Sequence, residues 1–218
     1  RVIAPDIIVV PKAGKDCRYR RTLDGVCVTV ESETNPRLVA VMIENHLDAR
    51  PQSGLGKAAV VYEAPVEANY SRFLAIFPID EKVDKVGPVR SARPYYLDLV
   101  LEYGEPMYMH VGGSPEAINK IKKVGIFDLD EFYFGWHFWR SSDRYAPHNT
   151  YTSSKLWQSA WEQYGNGRRV TSSESWQFAD REPCQTDCVS SITASFSPPI
   201  YEAVWKYSSS TQKYTRYQ

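Results

Sequence analysis

The stretch that most restricts what this chain can fold into runs from Lys85 to Glu116, KVGPVRSARPYYLDLVLEYGEPMYMHVGGSPE. Gly87-Pro88 disfavours helical backbone in the residue before the proline, so Val86 to Arg90 is read as the end of a strand. Pro94 suits the first turn of a helix, where its missing N–H would have had no intrahelical partner. Leu97, Leu99, Val100 and Leu101 continue that helix and Gly104 can end it. Met107 to Val111 is a short apolar run of the kind that fills a buried strand. Gly112-Gly113-Ser114-Pro115 then turns the chain into a second helix over Glu116 to Lys123. This alternation is that of a βαβ-type unit, and both helices would start at strand ends. In open α/β sheets that edge is where ligands collect, and free N–H groups at helix N-termini favour anions.

Arg90 and Arg93, three residues apart, admit two readings: ordinary salt bridges, or a clamp in which guanidinium forks pair with phosphate or carboxylate. The Gly-Gly-Ser-Pro turn has neither the lysine of a phosphate-binding P-loop nor the third glycine of a dinucleotide fingerprint, and no other cofactor motif is present.

Upstream, Leu38 to Ile43 is a β-rich apolar run that ends abruptly in Glu44-Asn45-His46. Polar residues at the end of a buried strand are natural site candidates. Ala58 to Tyr62 forms a further apolar segment that carries Glu63; Glu67 follows, then a strand from Arg72 to Phe77. The charged tip Asp80 to Asp84 reads as a hairpin turn into the Lys85 segment. Glu44, Glu63 and Glu67 with His46 could form an acid/base site, or could simply neutralise Arg72, Arg90 and Arg93. Downstream, the aromatic run Phe127 to Trp139 suits a loop or lid over the sheet edge. Pro147-His148-Asn149 puts an imidazole, which titrates near neutral pH, in a turn. A helix over Ser153 to Tyr164 follows, with Gly165 as its stop.

The expected architecture is α/β: a mixed sheet flanked by helices, with an N-terminal β arm and a small β-rich C-terminal unit. The boundaries read as 1–36 for the arm, 37–165 for the main α/β domain, 166–191 for a linker, and 192–218 for the start of a β-rich domain that looks truncated. The arm has apolar runs at Ile7 to Val10 and Val26 to Val30, and the C-terminal unit a hairpin through Val204-Trp205-Lys206-Tyr207 and Tyr214 to Tyr217.

The 26 basic and 26 acidic residues balance, so nothing points to generic binding of nucleic acid or of a membrane surface. The 15 tyrosines and 6 tryptophans suit wet binding surfaces as well as packing. No run of about 18 apolar residues exists to span a membrane. The four cysteines fall into two local pairs, Cys17 with Cys27 and Cys184 with Cys188. Three pairings are possible, of which two short local loops are the simplest. No histidine lies near either pair, so no metal site is read there. Disulfides imply an oxidising, exported setting, and a chain starting at Arg1 looks processed, with any signal or lipid anchor upstream.

The segments VAVMIENH, ARPQSGL, VYEAPVE, SRFLAIF, KVGPVRSARPY, HVGGSPEA and APHNTYT, in this order, resemble the YerB-like lipoproteins of bacteria. The resemblance is dense from Arg37 to Ser154, and the VWKY and YTRY segments resemble the opening of that family's C-terminal domain. It implies a cell-envelope protein, often lipid-anchored, in a family of unknown biochemical function. The chain departs from the pattern in its cysteine-bearing arm, the Cys184/Cys188 pair and its stop at Gln218.

Two functional classes are left open. In one, an envelope binding module grips an anionic ligand or a protein partner through Arg72, Arg90 and Arg93, with Glu44, His46, Glu67, His110, Ser114, Arg144 and Asn149 around them. In the other, a cell-wall hydrolase or phosphotransferase uses Glu63 or His148 as its base, with the arginines stabilising developing negative charge.

Overall fold

The computed structural model describes residues 17–168, 176, 178, 188–196 and 198–218. The expected strand at Ile7 to Val10, Cys184, and most of the segment read as a linker lie outside the described residues. The arm shows two short antiparallel strands, β1 (Tyr19–Arg20) and β2 (Cys27–Val28), beside a Cys17–Cys27 disulfide.

The main sheet contains β3 (Leu38–Glu44), β4 (Val60–Pro65), β5 (Ser71–Pro78), β6 (Met107–His110) and β7 (Phe127–Asp130), in spatial order β4-β5-β3-β6-β7. β5 runs antiparallel to both β3 and β4, whereas β6 and β7 run parallel to β3. Every residue of β3 and β5 is buried, because both faces of the sheet are covered. Such strands read as continuous apolar runs rather than alternating ones. Along β3, Val39, Val41 and Ile43 join a core with Trp157, Ala160 and Trp161 of helix α4 (Ser154–Tyr164). Ala40 and Met42 face the opposite core, with Tyr96, Leu97 and Val100 of α1 (Pro94–Leu101) and Ala117 and Ile121 of α2 (Pro115–Val124). The result is a mixed sheet between two helical layers.

Local chemistry sets the helix ends. Pro94 and Pro115 occupy first turns, and the Ser114 hydroxyl accepts from the Ala117 N–H at 3.2 Å. Gly125 closes α2 in the left-handed region at φ 68°, a conformation glycine adopts at no steric cost.

Three expectations change. Val86 to Arg90 is not a strand but a loop bonded at single points, with bridges Ile43 to Val89, Ser53 to Gly87 and Val86 to Thr152. Gly87 lies at φ 143° and a Cβ there would meet the Thr150 carbonyl at 2.8 Å, so the residue serves close packing rather than a ladder. In consequence the charged tip before it is no hairpin. The run Phe127 to Trp139 is not a lid: it holds the edge strand β7, the short helix α3 (Glu131–Phe134), a 3-10 turn and β8 (Trp139–Arg140), which pairs with β9 (Thr150–Tyr151). Asp128 and Asp130 bond His110 and the Gly112 N–H on and just after β6, and these polar positions disguise β7 as a loop.

The C-terminal segment forms a three-stranded antiparallel sheet, β10 (Ser191–Ala194), β11 (Ala203–Ser208) and β12 (Lys213–Tyr217). It contacts the main sheet through side chains described next.

Candidate functional site

The C-terminal ends of β3, β6 and β7 lie at one edge of the sheet, beside the start of antiparallel β5. That edge places Glu44, His110, Asp130 and Arg72 in neighbouring positions, with Glu44 directly opposite Arg72 in the β3/β5 register. The polar residues there sort into three groups.

The innermost group centres on Glu44, which is 6% exposed. Its Oε1 receives Arg90 Nε at 3.0 Å and its Oε2 lies 2.8 Å from His148 Nδ1. The Arg90 loop is fixed by backbone bonds, from Arg90 N–H to the Met42 carbonyl and from Glu44 N–H to the Pro88 carbonyl, both 2.9 Å. His148 stacks on His46, ring centroids 4.8 Å apart and 14° from parallel. His46 caps the turn Leu47–Ala49, its Nδ1 accepting from the Asp48 N–H at 3.2 Å. Arg144 pins that turn by donating to the Ala49 and Pro51 carbonyls.

A second group ties the C-terminal sheet to the main one. Glu63 receives Arg216 through three contacts of 2.7 to 3.2 Å, and also accepts from Ser71 Oγ at 2.7 Å and Asn45 Nδ2 at 3.2 Å. Asn45 Nδ2 donates to Gln218 Oε1 at 3.0 Å as well. Arg50 donates to the Ile200 carbonyl at 3.1 Å and lies over the Tyr201 ring.

The third group borders an open cleft of about 490 Å³ between the starts of α1 and α2, lined by Glu67, Arg93, Pro94, Tyr95, Asp98, Ser114, Glu116 and Lys120. Arg93 Nε bonds Glu67 at 2.5 Å, and the Arg93 bond holds the Glu67 carboxyl below the usual carboxylate range. Lys120 donates to Asp98 at 2.6 Å and to the Pro94 carbonyl at 2.9 Å.

The remaining candidates lie apart from these groups. Arg72 is buried beneath the edge and donates to the Ser91 carbonyl at 2.6 Å. Burial, and then the neighbouring Arg93, weigh against its charge and lower its pKa, while Glu44 opposes them. His110 is fully buried: Nδ1–H donates to the Gly112 carbonyl at 2.8 Å and Nε2 lies 2.6 Å from Asp128 Oδ1. Asn149 accepts from Arg140 and donates to the Ser141 carbonyl. Thus Glu44, His46 and His148 meet, Glu67, Arg93 and Ser114 meet, and Glu63 joins neither set. Sequence reasoning missed Asp48, Ser71 and Arg216, and singled out Asn45 at the strand end without giving it a role. The His46-x-Asp48 spacing was the available signal for Asp48; Arg216 is too distant along the chain to leave one.

The profile for the N-terminal domain of a protein of unknown function, DUF3048, matches residues 23–166. This chain belongs to the DUF3048 family. Over 157 residues it is 39% identical to the protein named "Putative lipoprotein YerB" of Bacillus subtilis (strain 168), covering 71% of this chain and 47% of YerB. The crystal structure of YerB from Bacillus subtilis superposes with a TM-score of 0.77 at 32% identity, covering 91% of this chain and 66% of that one. The chain therefore spans about half of YerB in sequence and about two thirds of the solved YerB chain. The DUF3048 match contains every candidate site residue, whereas Arg216, Ile200 and Tyr201, which clamp the C-terminal sheet onto the edge, lie beyond it.

Proposed function

We propose that this chain is a binding module of the bacterial cell envelope that receives a carboxylate- or phosphate-bearing ligand in the cleft at Arg93. The envelope setting is carried over from the lipoprotein name of its relative, and the arm's disulfide suits an oxidising compartment. One observation carries the binding reading: Arg93, its own side chain 16% exposed, is held at the cleft wall and bonds Glu67, whose side chain is 62% exposed. Glu67 can swing into water while Arg93 stays in place, so an incoming anion can take over the guanidinium that Glu67 now covers. Arg93 and Lys120 face Glu67, Asp98 and Glu116 across the same cleft. That balance favours a ligand carrying both carboxylate and ammonium groups, such as a cell-wall peptide fragment, over a polyanion.

The enzymatic reading has less support. The Glu63 carboxylate is filled by Arg216, Ser71 and Asn45, which leaves it little room to take a proton from a substrate.

Calorimetric titration with a muropeptide, and with acetate and inorganic phosphate as simpler probes, tests the proposal. Arg93→Ala should abolish binding with the melting temperature nearly unchanged, and Glu67→Ala should tighten it. Equal affinity in wild type and Arg93→Ala would overturn it.

A further inference from the structure

We propose that His46, Asp48 and His148 form a binding site for a divalent transition-metal ion, supported from behind by Glu44. One ligand atom from each of these three side chains lies within 4.8 Å of the others. Asp48 Oδ2 is 3.5 Å from His46 Nδ1 and 3.9 Å from His148 Nε2. Ligands about 2.0–2.2 Å from a tetrahedral zinc ion lie about 3.3–3.6 Å from each other, so the two Asp48 distances are near closure while the widest separation in the set must shorten by about 1 Å.

The stronger argument is the support behind His148. Metal-bound histidines almost always donate their other ring N–H to a carboxylate or carbonyl, which fixes the tautomer and aims the free lone pair. Glu44 Oε2 sits 2.8 Å from His148 Nδ1, so the carboxylate holds the proton on Nδ1 and leaves the Nε2 lone pair on the side of Asp48. Glu44 is in turn fixed by Arg90, which balances its charge, and it is buried at the end of β3. The exposed negative charge left for a cation is that of Asp48, whose side chain is 72% exposed.

The protein has four histidines. His110 and His137 are buried in the core, so imidazole ligation at the surface falls to His46 and His148. Their rings stack nearly parallel, so their lone pairs run side by side and a shared ion requires one ring to turn. His46 is the freer of the two at 28% exposed, and turning it gives up the 3.2 Å cap bond from the Asp48 N–H and its ring contacts with His148 and Tyr70. Two imidazoles and one carboxylate suit zinc, cobalt, nickel or iron(II), with water in the remaining positions, and do not suit magnesium or calcium, which prefer all-oxygen sites.

The test uses the full chain with its Cys17–Cys27 disulfide intact. Equilibrium dialysis against Zn²⁺ should load one equivalent, and Co²⁺ should give a visible d–d spectrum of an imidazole–carboxylate site. Asp48→Asn changes an exposed side chain and His148→Ala a ligand; each should weaken Zn²⁺ binding at least tenfold and remove the Co²⁺ spectrum. Glu44→Gln should weaken it about 10- to 100-fold through the orientation of His148. Zn²⁺ binding that is absent in the dialysis, or that is unchanged in Asp48→Asn, overturns the proposal. Binding lost equally in Arg93→Ala overturns it too, since that residue belongs to the separate cleft.

Discussion

Replacing Glu63 by alanine should cost about 3–5 kcal/mol of folding stability, because it strands a buried cation. The side chains of Glu63 and Arg216 are 12% and 11% exposed, and the guanidinium reaches both carboxylate oxygens at 2.7 to 3.2 Å while lying over the Phe73 ring. Without the carboxylate, Arg216 keeps its desolvation penalty and loses its counter-charge, while Ser71 and Asn45 lose an acceptor. At about 2–4 °C per kcal/mol for a chain of this size, the melting temperature should fall by roughly 6–20 °C. Urea unfolding of Glu63→Ala, Arg216→Ala and the double variant measures the coupling. The two single losses should exceed the double loss by about 1.5 kcal/mol or more. A Glu63→Ala cost below about 1 kcal/mol, with coupling below about 0.5 kcal/mol, would refute the clamp and return Glu63 to consideration as a free base.

Reduction of Cys17–Cys27, which closes a loop of sequence separation 10, should destabilise the chain by about 2–3 kcal/mol in the chain-entropy picture, read as a lower urea midpoint in the Cys17→Ser/Cys27→Ser variant. Ser114→Ala removes the cap at the start of α2 and should cost about 1 kcal/mol, a loss that Ser114→Asp recovers. Burial holds the pKa of His137 below its usual value, so the neutral ring is the folded form. Its contribution is complete above the unfolded value of about 6.5 and is lost as pH falls below it toward the depressed folded value. Unfolding free energy should therefore drop, as pH falls below about 6.5, more steeply in wild type than in His137→Phe; parallel pH profiles would contradict this.

The parts of the fold that were legible in the sequence are those where one local rule dominated. Leu38 to Ile43 and Arg72 to Phe77 are apolar at nearly every position because the sheet is covered on both faces, and Pro94, Ser114-Pro115 and Gly165 mark helix ends by backbone chemistry alone. β7 was hidden because it has four residues and two of them are aspartates. Those aspartates are spent on tertiary partners, Asp128 on His110 and Asp130 on the Gly112 N–H at 2.7 Å, and Asp130 also caps α3 locally through the Phe132 N–H at 3.2 Å. Periodicity cannot register such pairings, since they are set by the parallel register with β6 rather than by neighbours in the chain.

The same limit explains how the candidate residues divide. Sequence position gathers Glu44, Glu63, Glu67 and the three arginines at one sheet edge but does not say which carboxylate takes which guanidinium. The structure pairs Arg90 with Glu44 and Arg93 with Glu67, while Glu63 takes Arg216 from β12. Burial then separates their roles. The Glu63 pair is shielded, so breaking it is costly and its work is to hold two sheets together. In the Glu67 pair the arginine is nearly as sheltered and only the carboxylate is open, so an outside anion can replace Glu67 while Arg93 stays in place. Glu44 lies between these extremes: it is buried, but it shares its two oxygens between an arginine and a histidine whose second nitrogen still faces a carboxylate. A carboxylate held that way keeps one imidazole in a single tautomer, which a salt bridge does not require and a metal ligand does.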